Sequence, residues 1–115
     1  MPLNPAVKEA REQARIEEVA KKKRKEGWVL VAKKKGKEAK ELEERAACLR
    51  ALAKVSLKHA TEEENVELAD KWFKRAAEDF AREKRTLERA TKVWKQATEA
   101  WEHAAIHLIY KKNEI

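Results

Sequence analysis

The feature that most constrains the fold is a heptad repeat in the C-terminal half of the chain. Large apolar residues recur there every seven positions, and a mostly small residue follows each of them by three positions. The large row is Val66, Phe73, Phe80, Leu87, Trp94, Trp101 and Leu108, and the small row is Ala69, Ala76, Glu83, Ala90, Ala97, Ala104 and Lys111. A repeat of this length is typical of an α-helix that packs along a seam against another helix. We expect the large side chains to form the core of that seam.

A second apolar stripe with helical spacing lies in residues 37–60. Its members follow one another at alternating steps of three and four: Ala39, Leu42, Ala46, Leu49, Ala53, Ser56 and Ala60. Such spacing turns one face of an amphipathic helix toward a core. Directly afterwards, Thr61 and Glu64 have the spacing of a capping box, in which each side chain accepts a hydrogen bond from the other residue's amide. The sequence therefore predicts that one helix ends and another begins near His59 to Thr61.

The two stripes together predict an antiparallel helical hairpin made by residues 37–60 and 62–82. If the chain reverses near Thr61, apolar residues of the two segments face one another throughout. The expected pairs include Leu49 with Phe73, Leu42 with Phe80, and Trp28 with Trp94. A register shifted by one step in either direction stays open.

Two all-α architectures can contain this hairpin in a single domain of residues 1–115. Charged residues make up 43% of the chain, and it has only two Gly and two Pro, which is the composition of bundles and coiled coils. We expect a compact bundle of three or four helices, with turns at residues 27–36 and 83–86, because it buries more surface per residue. The alternative is an extended two-helix antiparallel coiled coil. Because Gly27 and Gly36 each weaken a helix by about 0.8–1 kcal/mol relative to Ala, we expect residues 21–37 to form a weakly helical joint.

That joint is also the most basic part of the chain, whose formal net charge is +7. Clustered lysines and arginines can neutralise phosphates, and an adjacent Trp can stack on a base. The candidate polyanion-binding residues are Lys21, Lys22, Lys23, Arg24, Lys25, Trp28, Lys33, Lys34, Lys35 and Lys37. Three alternatives stay open: an anionic membrane surface, a nuclear import signal at residues 21–25, and an ordinary solvated helix face with Trp28 in the core.

A possible metal site lies near the C-terminus. Glu99, His103 and His107 are four residues apart, so on one helix they share a stripe that could present two imidazoles and a carboxylate to zinc. The competing interpretation is two surface histidines beside a core seam. The tryptophans could likewise line a cavity for a flat ligand, although the heptad already explains most of them as core. We predict no cofactor.

Catalysis finds little support in the residues. Cys48 has no histidine placed to activate it, Ser56 belongs to a helical stripe, and two glycines cannot supply a phosphate-binding loop. A single cysteine excludes an intramolecular disulfide, and we find neither a secretory signal nor a membrane-spanning run. These observations favour a non-enzymatic protein with a cytoplasmic location, or a nuclear one if residues 21–25 act as an import signal.

The function that the sequence favours is a non-catalytic helical scaffold or protein–protein interaction module. Its seam would serve a protein partner or self-association. The alternatives are a nucleic-acid or polyanion-binding module that uses residues 21–37, and a helical host for a metal or a flat ligand. The regular heptad and the capped helix starts are also typical of a designed protein, whereas Cys48 and the uneven charge are not. Both origins stay open.

Overall fold

The chain forms two long α-helices joined by a short turn. The computed structural model describes the backbone of residues 4–113 and the side chains of residues 4–106. Helix α1 is Pro5–Glu62 and helix α2 is Val66–Asn113. The prediction of an all-α protein is confirmed, and of the two architectures the one with two long helices fits. The prediction of three or four helices is wrong.

Neither of the expected extra turns interrupts its helix. Gly27 and Gly36 lie inside α1, and neither has a positive φ. Residues 83–86 lie inside α2, where the Thr86 hydroxyl donates to the carbonyl of Arg82 at 2.8 Å. The helices continue because a glycine destabilises a helix less than a helix end does. A glycine weakens a helix by about 1 kcal/mol, whereas ending one leaves up to eight backbone groups to be satisfied elsewhere. Residues 28–32 are consequently helical.

The first helix is capped at its start by Asn4. Asn4 accepts a hydrogen bond through its Oδ1 from the amide of Ala6 at 3.1 Å. Its backbone carbonyl accepts the first helical bonds, from Val7 and Lys8. Pro5 takes the first helical position, where the missing amide proton costs no hydrogen bond. This start is therefore fixed by local chemistry alone.

The turn lies slightly later than the sequence predicts, at residues 63–65. Helix α1 continues through Thr61, whose hydroxyl donates to the carbonyl of Lys58 at 2.9 Å, so the predicted capping box is absent. The cap of α2 is Asn65 instead. Its Oδ1 accepts from the amides of Glu67 at 3.0 Å and Leu68 at 3.3 Å. An Asn at this position satisfies orphan amides as well as Thr does. The sequence analysis did not consider Asn65 as a cap.

The chain divides into two compact units. Unit 1 is Met1–Lys33 with Ala97–Ile115, and unit 2 is Lys34–Gln96. In unit 2 the end of α1 packs antiparallel against the start of α2, which confirms the predicted hairpin. In unit 1 the described buried residues are Ala32, Ala97, Ala100 and Ala104. Residues 4–19 of this unit are all exposed.

The register of the helices differs from the predicted one. In unit 2, His59 stacks on Trp72 with 4.7 Å between ring centroids, and Trp94 bonds to Glu43. In unit 1, Trp28 stacks on His103 rather than meeting Trp94, a displacement of nine residues along α2. Each residue by which the reversal point moves displaces the partner by two, so most of the shift within unit 2 follows from the later turn.

The seam of unit 2 is built mainly from alanines. On α1 the predicted stripe is confirmed, because the buried residues are Ala39, Leu42, Ala46, Ala53, Ser56 and Ala60, with Leu49 half-buried. On α2 the buried residues are Ala76, Ala90 and Val93. In unit 1, Ala97 and Ala104 continue the small row of α2, and Ala100, seven positions after Val93, is buried as well. Small side chains on both sides allow the two helix backbones to approach closely.

The large row of α2 is not the core, and that prediction is wrong. Phe73 is 46% exposed, Leu87 43% and Trp94 36%. Val66 and Trp101 are also exposed, and Phe80 is half-buried. A heptad pattern does not decide which of two adjacent rows turns inward. Where α1 presents alanines at close range, no volume is left for aromatic rings, so these rings flank the seam.

Candidate interaction surfaces

Four apolar side chains of α2 in unit 2, three of them exposed and one half-buried, form a row along one flank of the helix. We name Phe73, Phe80, Leu87 and Trp94 the α2 row. Each member lies one position beyond a seam residue, as Phe73 follows Trp72 and Trp94 follows Val93. Ala77, Lys84 and Thr91 lie between them on the same face and are exposed. This flank therefore presents apolar surface that the fold of unit 2 does not bury.

Trp94 shows how a member of the row is held. Its indole Nε1 donates to the Glu43 carboxylate at 2.5 Å. Its ring lies against Gly36, with 3.7 Å between the ring Cζ3 and the point that a Cβ at residue 36 would occupy. The hydrogen bond satisfies the one polar group of the indole. Sequence reasoning missed this contact. The sequence held one signal for it: Gly36 and Glu43 are seven residues apart, so on a helix they lie on the same flank.

The opposite flank of unit 2 contains a groove close to the turn. It has a volume of about 510 Å³ and an apolar floor that includes Leu49, Leu52 and Val55. Its rim carries charges of both signs: Arg75, Glu78, Asp79 and Arg82. The Arg75 guanidinium lies 5.7 Å from the Trp72 ring centroid. The groove is open, and its charges do not select a ligand of one sign.

The candidate polyanion-binding residues lie on α1. In unit 1, Lys21, Lys22, Lys23, Arg24, Lys25 and Lys33 are all exposed. In unit 2, Lys34 and Lys37 are exposed, whereas Lys35 is half-buried and lies 3.7 Å from the Glu38 carboxylate. Residues 21–25 are consecutive on a helix, so their charges point around it rather than along one face.

Trp28, the expected stacking platform, already has a stacking partner. Its ring is 4.4 Å from that of His103, at an interplanar angle of 18°, and the side chain is 40% exposed. One face of the indole is thus occupied by imidazole. The alternative prediction, in which Trp28 is buried in the core, does not hold, because the side chain is 40% exposed.

The same stacking bears on the candidate metal site. Glu99 and His103 are exposed, and the side chain of His107 lies outside the described residues. Among the described residues no group of three metal-ligating side chains comes together. The Trp28–His103 stack gives the imidazole a role in packing within unit 1.

Cys48 is an exposed free thiol.

Comparisons with known proteins place the chain in no family. It matches no protein-family model, no curated protein and no solved structure. Within the described helices, no stretch is both long and apolar enough to cross a membrane. The surfaces themselves are therefore the basis for a functional proposal.

Proposed function

We propose that this protein is a non-catalytic helical interaction module that binds a protein partner through the α2 row. The observation that carries the proposal is the exposure of Phe73, Leu87 and Trp94 in a line at heptad spacing. Scattered apolar side chains are ordinary on a protein surface, but a contiguous apolar stripe marks a binding site. A heptad stripe fits an amphipathic helix laid alongside it.

A site-specific photo-crosslinker tests this proposal. A benzoylphenylalanine introduced at Phe73 should give covalent adducts with another polypeptide in the expressing cell, and Leu87→Glu in the same chain should abolish them. The matched control is the same photo-crosslinker at Leu52, which is 56% exposed but lies on the opposite flank. Equal adducts from both positions, or adducts that survive Leu87→Glu, would contradict the proposal.

A second candidate function is the binding of nucleic acid or another polyanion by the basic segment of α1. Exposure of all five residues from Lys21 to Lys25 supports it, since phosphate contacts require accessible cations. Replacing these five by Gln should lower the affinity for duplex DNA and reduce the slope of log affinity against log salt by up to about 4.

The control for charge alone replaces five exposed bases elsewhere by Gln: Lys40, Arg45, Lys54, Lys58 and Lys71. Both variants lose the same net charge. If the two lose affinity equally, only the net charge attracts DNA, and the basic segment is not a site.

A further inference from the structure

We infer that the partner of the α2 row is a second copy of this chain, bound antiparallel through the same row. This inference rests on the proposed function, because it names the occupant of the surface proposed there. Along the row each large residue is followed four positions later by a smaller or flexible one: Ala77 follows Phe73, Lys84 follows Phe80, and Thr91 follows Leu87. Helix α2 of unit 2 thus carries two adjacent heptad seams, and α1 covers one of them.

The α2 row is complementary to itself when two copies run antiparallel. About a twofold axis near residue 82, Phe73 lies opposite Thr91 of the second copy, and Leu87 lies opposite Ala77. Phe80 lies opposite Lys84, whose aliphatic stem can cover the ring while its ammonium reaches water. Every large side chain from Phe73 to Leu87 therefore meets a smaller or flexible one. A parallel pair would instead set large residues against large ones and leave gaps between them.

The charges beside the row select this register. On the outer side of the row lie Lys74, Ala81 and Glu88, all exposed. The apolar pairs are centred on residue 82 and the flanking pairs on residue 81, one residue apart along the same helix, so Lys74 lies close to Glu88 of the second copy, and by symmetry this pair forms twice. Ala81 faces its own copy across the axis. Opposite charges at such flanking positions set partner choice and orientation in coiled coils.

Neighbouring registers place like charges together. A shift of one heptad toward the C-terminus sets Lys74 against Lys95, and a shift the other way sets Glu67 against Glu88. Both alternatives keep large residues opposite small ones, so apolar packing alone does not distinguish them. Like charges at facing positions disfavour them. The row and its charges together specify one arrangement.

The first test is the molecular mass of the full chain in solution. Sedimentation equilibrium from about 1 to 300 µM should show a reversible dimer with a dissociation constant on the order of micromolar, as expected for a small interface. Leu87→Glu should raise this constant at least about tenfold. The matched control, Leu52→Glu, alters a half-exposed leucine on the other flank of unit 2 and should leave it unchanged. A chain that stays monomeric throughout this range would overturn the inference.

The second test reads the register through a disulfide. In a Cys48→Ala chain, Ala81→Cys places two thiols across the axis, so mild oxidation should link the dimer. Ala51→Cys, an exposed alanine on α1, serves as the control and should link far less. Equal linkage from both positions would mean random collision and would overturn the proposed geometry.

The third test is a charge reversal. Lys74→Glu should weaken the dimer because it faces Glu88, and adding Glu88→Lys should restore it. Lys74 also pairs with Asp70 in its own helix at 3.1 Å, so helicity is followed by circular dichroism to separate folding from association. Lys95→Glu should have little effect. A marked gain in dimerisation from Lys95→Glu would show that the shifted register is the real one.

The outcomes separate this inference from the proposed function. A monomeric chain that still gives Phe73 adducts with a different polypeptide disproves self-association and leaves the interaction module standing. A purified dimer that is insensitive to Leu87→Glu disproves the α2 row as the self-interface. If there is neither a dimer nor an adduct, both proposals are wrong.

Discussion

Gly36 and Trp94 meet at the point in unit 2 where an aromatic ring lies directly on the backbone of α1. Neither glycine of α1 is required by its backbone conformation, since both are helical and neither has a positive φ. A methyl group added at Gly36 would lie 3.7 Å from the Trp94 ring, which is an ordinary van der Waals distance, and one added at Gly27 would meet nothing within 4 Å. Neither glycine is therefore required by the backbone conformation or by lack of space for a methyl group.

Replacing either glycine by Ala should stabilise the protein. We expect Gly36→Ala and Gly27→Ala each to raise the free energy of unfolding by about 0.5–1 kcal/mol, from helix propensity and the lower entropy of the unfolded chain. Urea titration followed by circular dichroism measures both. A loss of stability for Gly36→Ala alone would mean that the Trp94 ring packs more tightly on α1 than 3.7 Å implies.

The hydrogen bond between Trp94 and Glu43 has its own test at this scale. Trp94→Phe keeps most of the ring and removes the donor, and Glu43→Ala removes the acceptor. A double-mutant cycle should give a coupling energy of about 0.5–1.5 kcal/mol, measured as the free energy of unfolding of the four chains. Strictly additive effects would show that the bond adds nothing in solution.

At the scale of the helices, the decisive feature is which row of α2 faces α1. Both rows have a period of seven, so periodicity predicted a seam but could not choose between them. The choice depends on α1, whose facing residues are mostly alanines. Close contact between Ala53 or Ala60 and α2 excludes large rings, because a packed interior has no spare volume. The stripe of α1 was predictable from its spacing, although Leu52 and Val55 beside it are exposed rather than buried.

Because the small row of α2 faces α1 and the large row does not, substitutions at Ala76 and Phe73 should change the free energy of unfolding differently from what the heptad pattern alone suggests. Ala76 is 1% exposed, so Ala76→Leu should overpack the seam and lower the free energy of unfolding by about 1–3 kcal/mol. Phe73→Ala should cost about 1 kcal/mol, well below the 3–5 kcal/mol typical of a buried phenylalanine. Thermal or urea unfolding at low protein concentration compares them.

Ala51→Leu, at an exposed position of α1, is the control and should change stability by less than about 0.5 kcal/mol. If Phe73→Ala proved the more damaging change, the large row would be the true core and the alanine seam would lie on the outside.

For the whole molecule, sequence reasoning gave the fold class and the central hairpin but neither the number of helices nor the register. The number of helices failed at Gly27 and Gly36, because residues that weaken a helix were expected to end it. The register failed because the Thr61–Glu64 pattern indicated an early turn, whereas the chain turns at residues 63–65 and Asn65 caps α2. Of the candidate sites, the basic residues 21–25 are exposed on α1, and their function stays a prediction. The α2 row was predicted to be core and is instead largely exposed.

Burial also predicts how stability is distributed along the chain. Residues 4–19 are all exposed, whereas residues 39–60 contribute most of the buried side chains that α1 supplies to unit 2. A helix without packing is marginal in water, and short unpacked segments open readily. Backbone amides of residues 8–19 should therefore exchange with deuterium orders of magnitude faster than those of residues 39–60. Hydrogen exchange read by mass spectrometry at micromolar protein measures this directly. Equal protection of the two segments would mean that residues 4–19 are covered in solution, by a contact that the side chains of residues 4–106 do not supply.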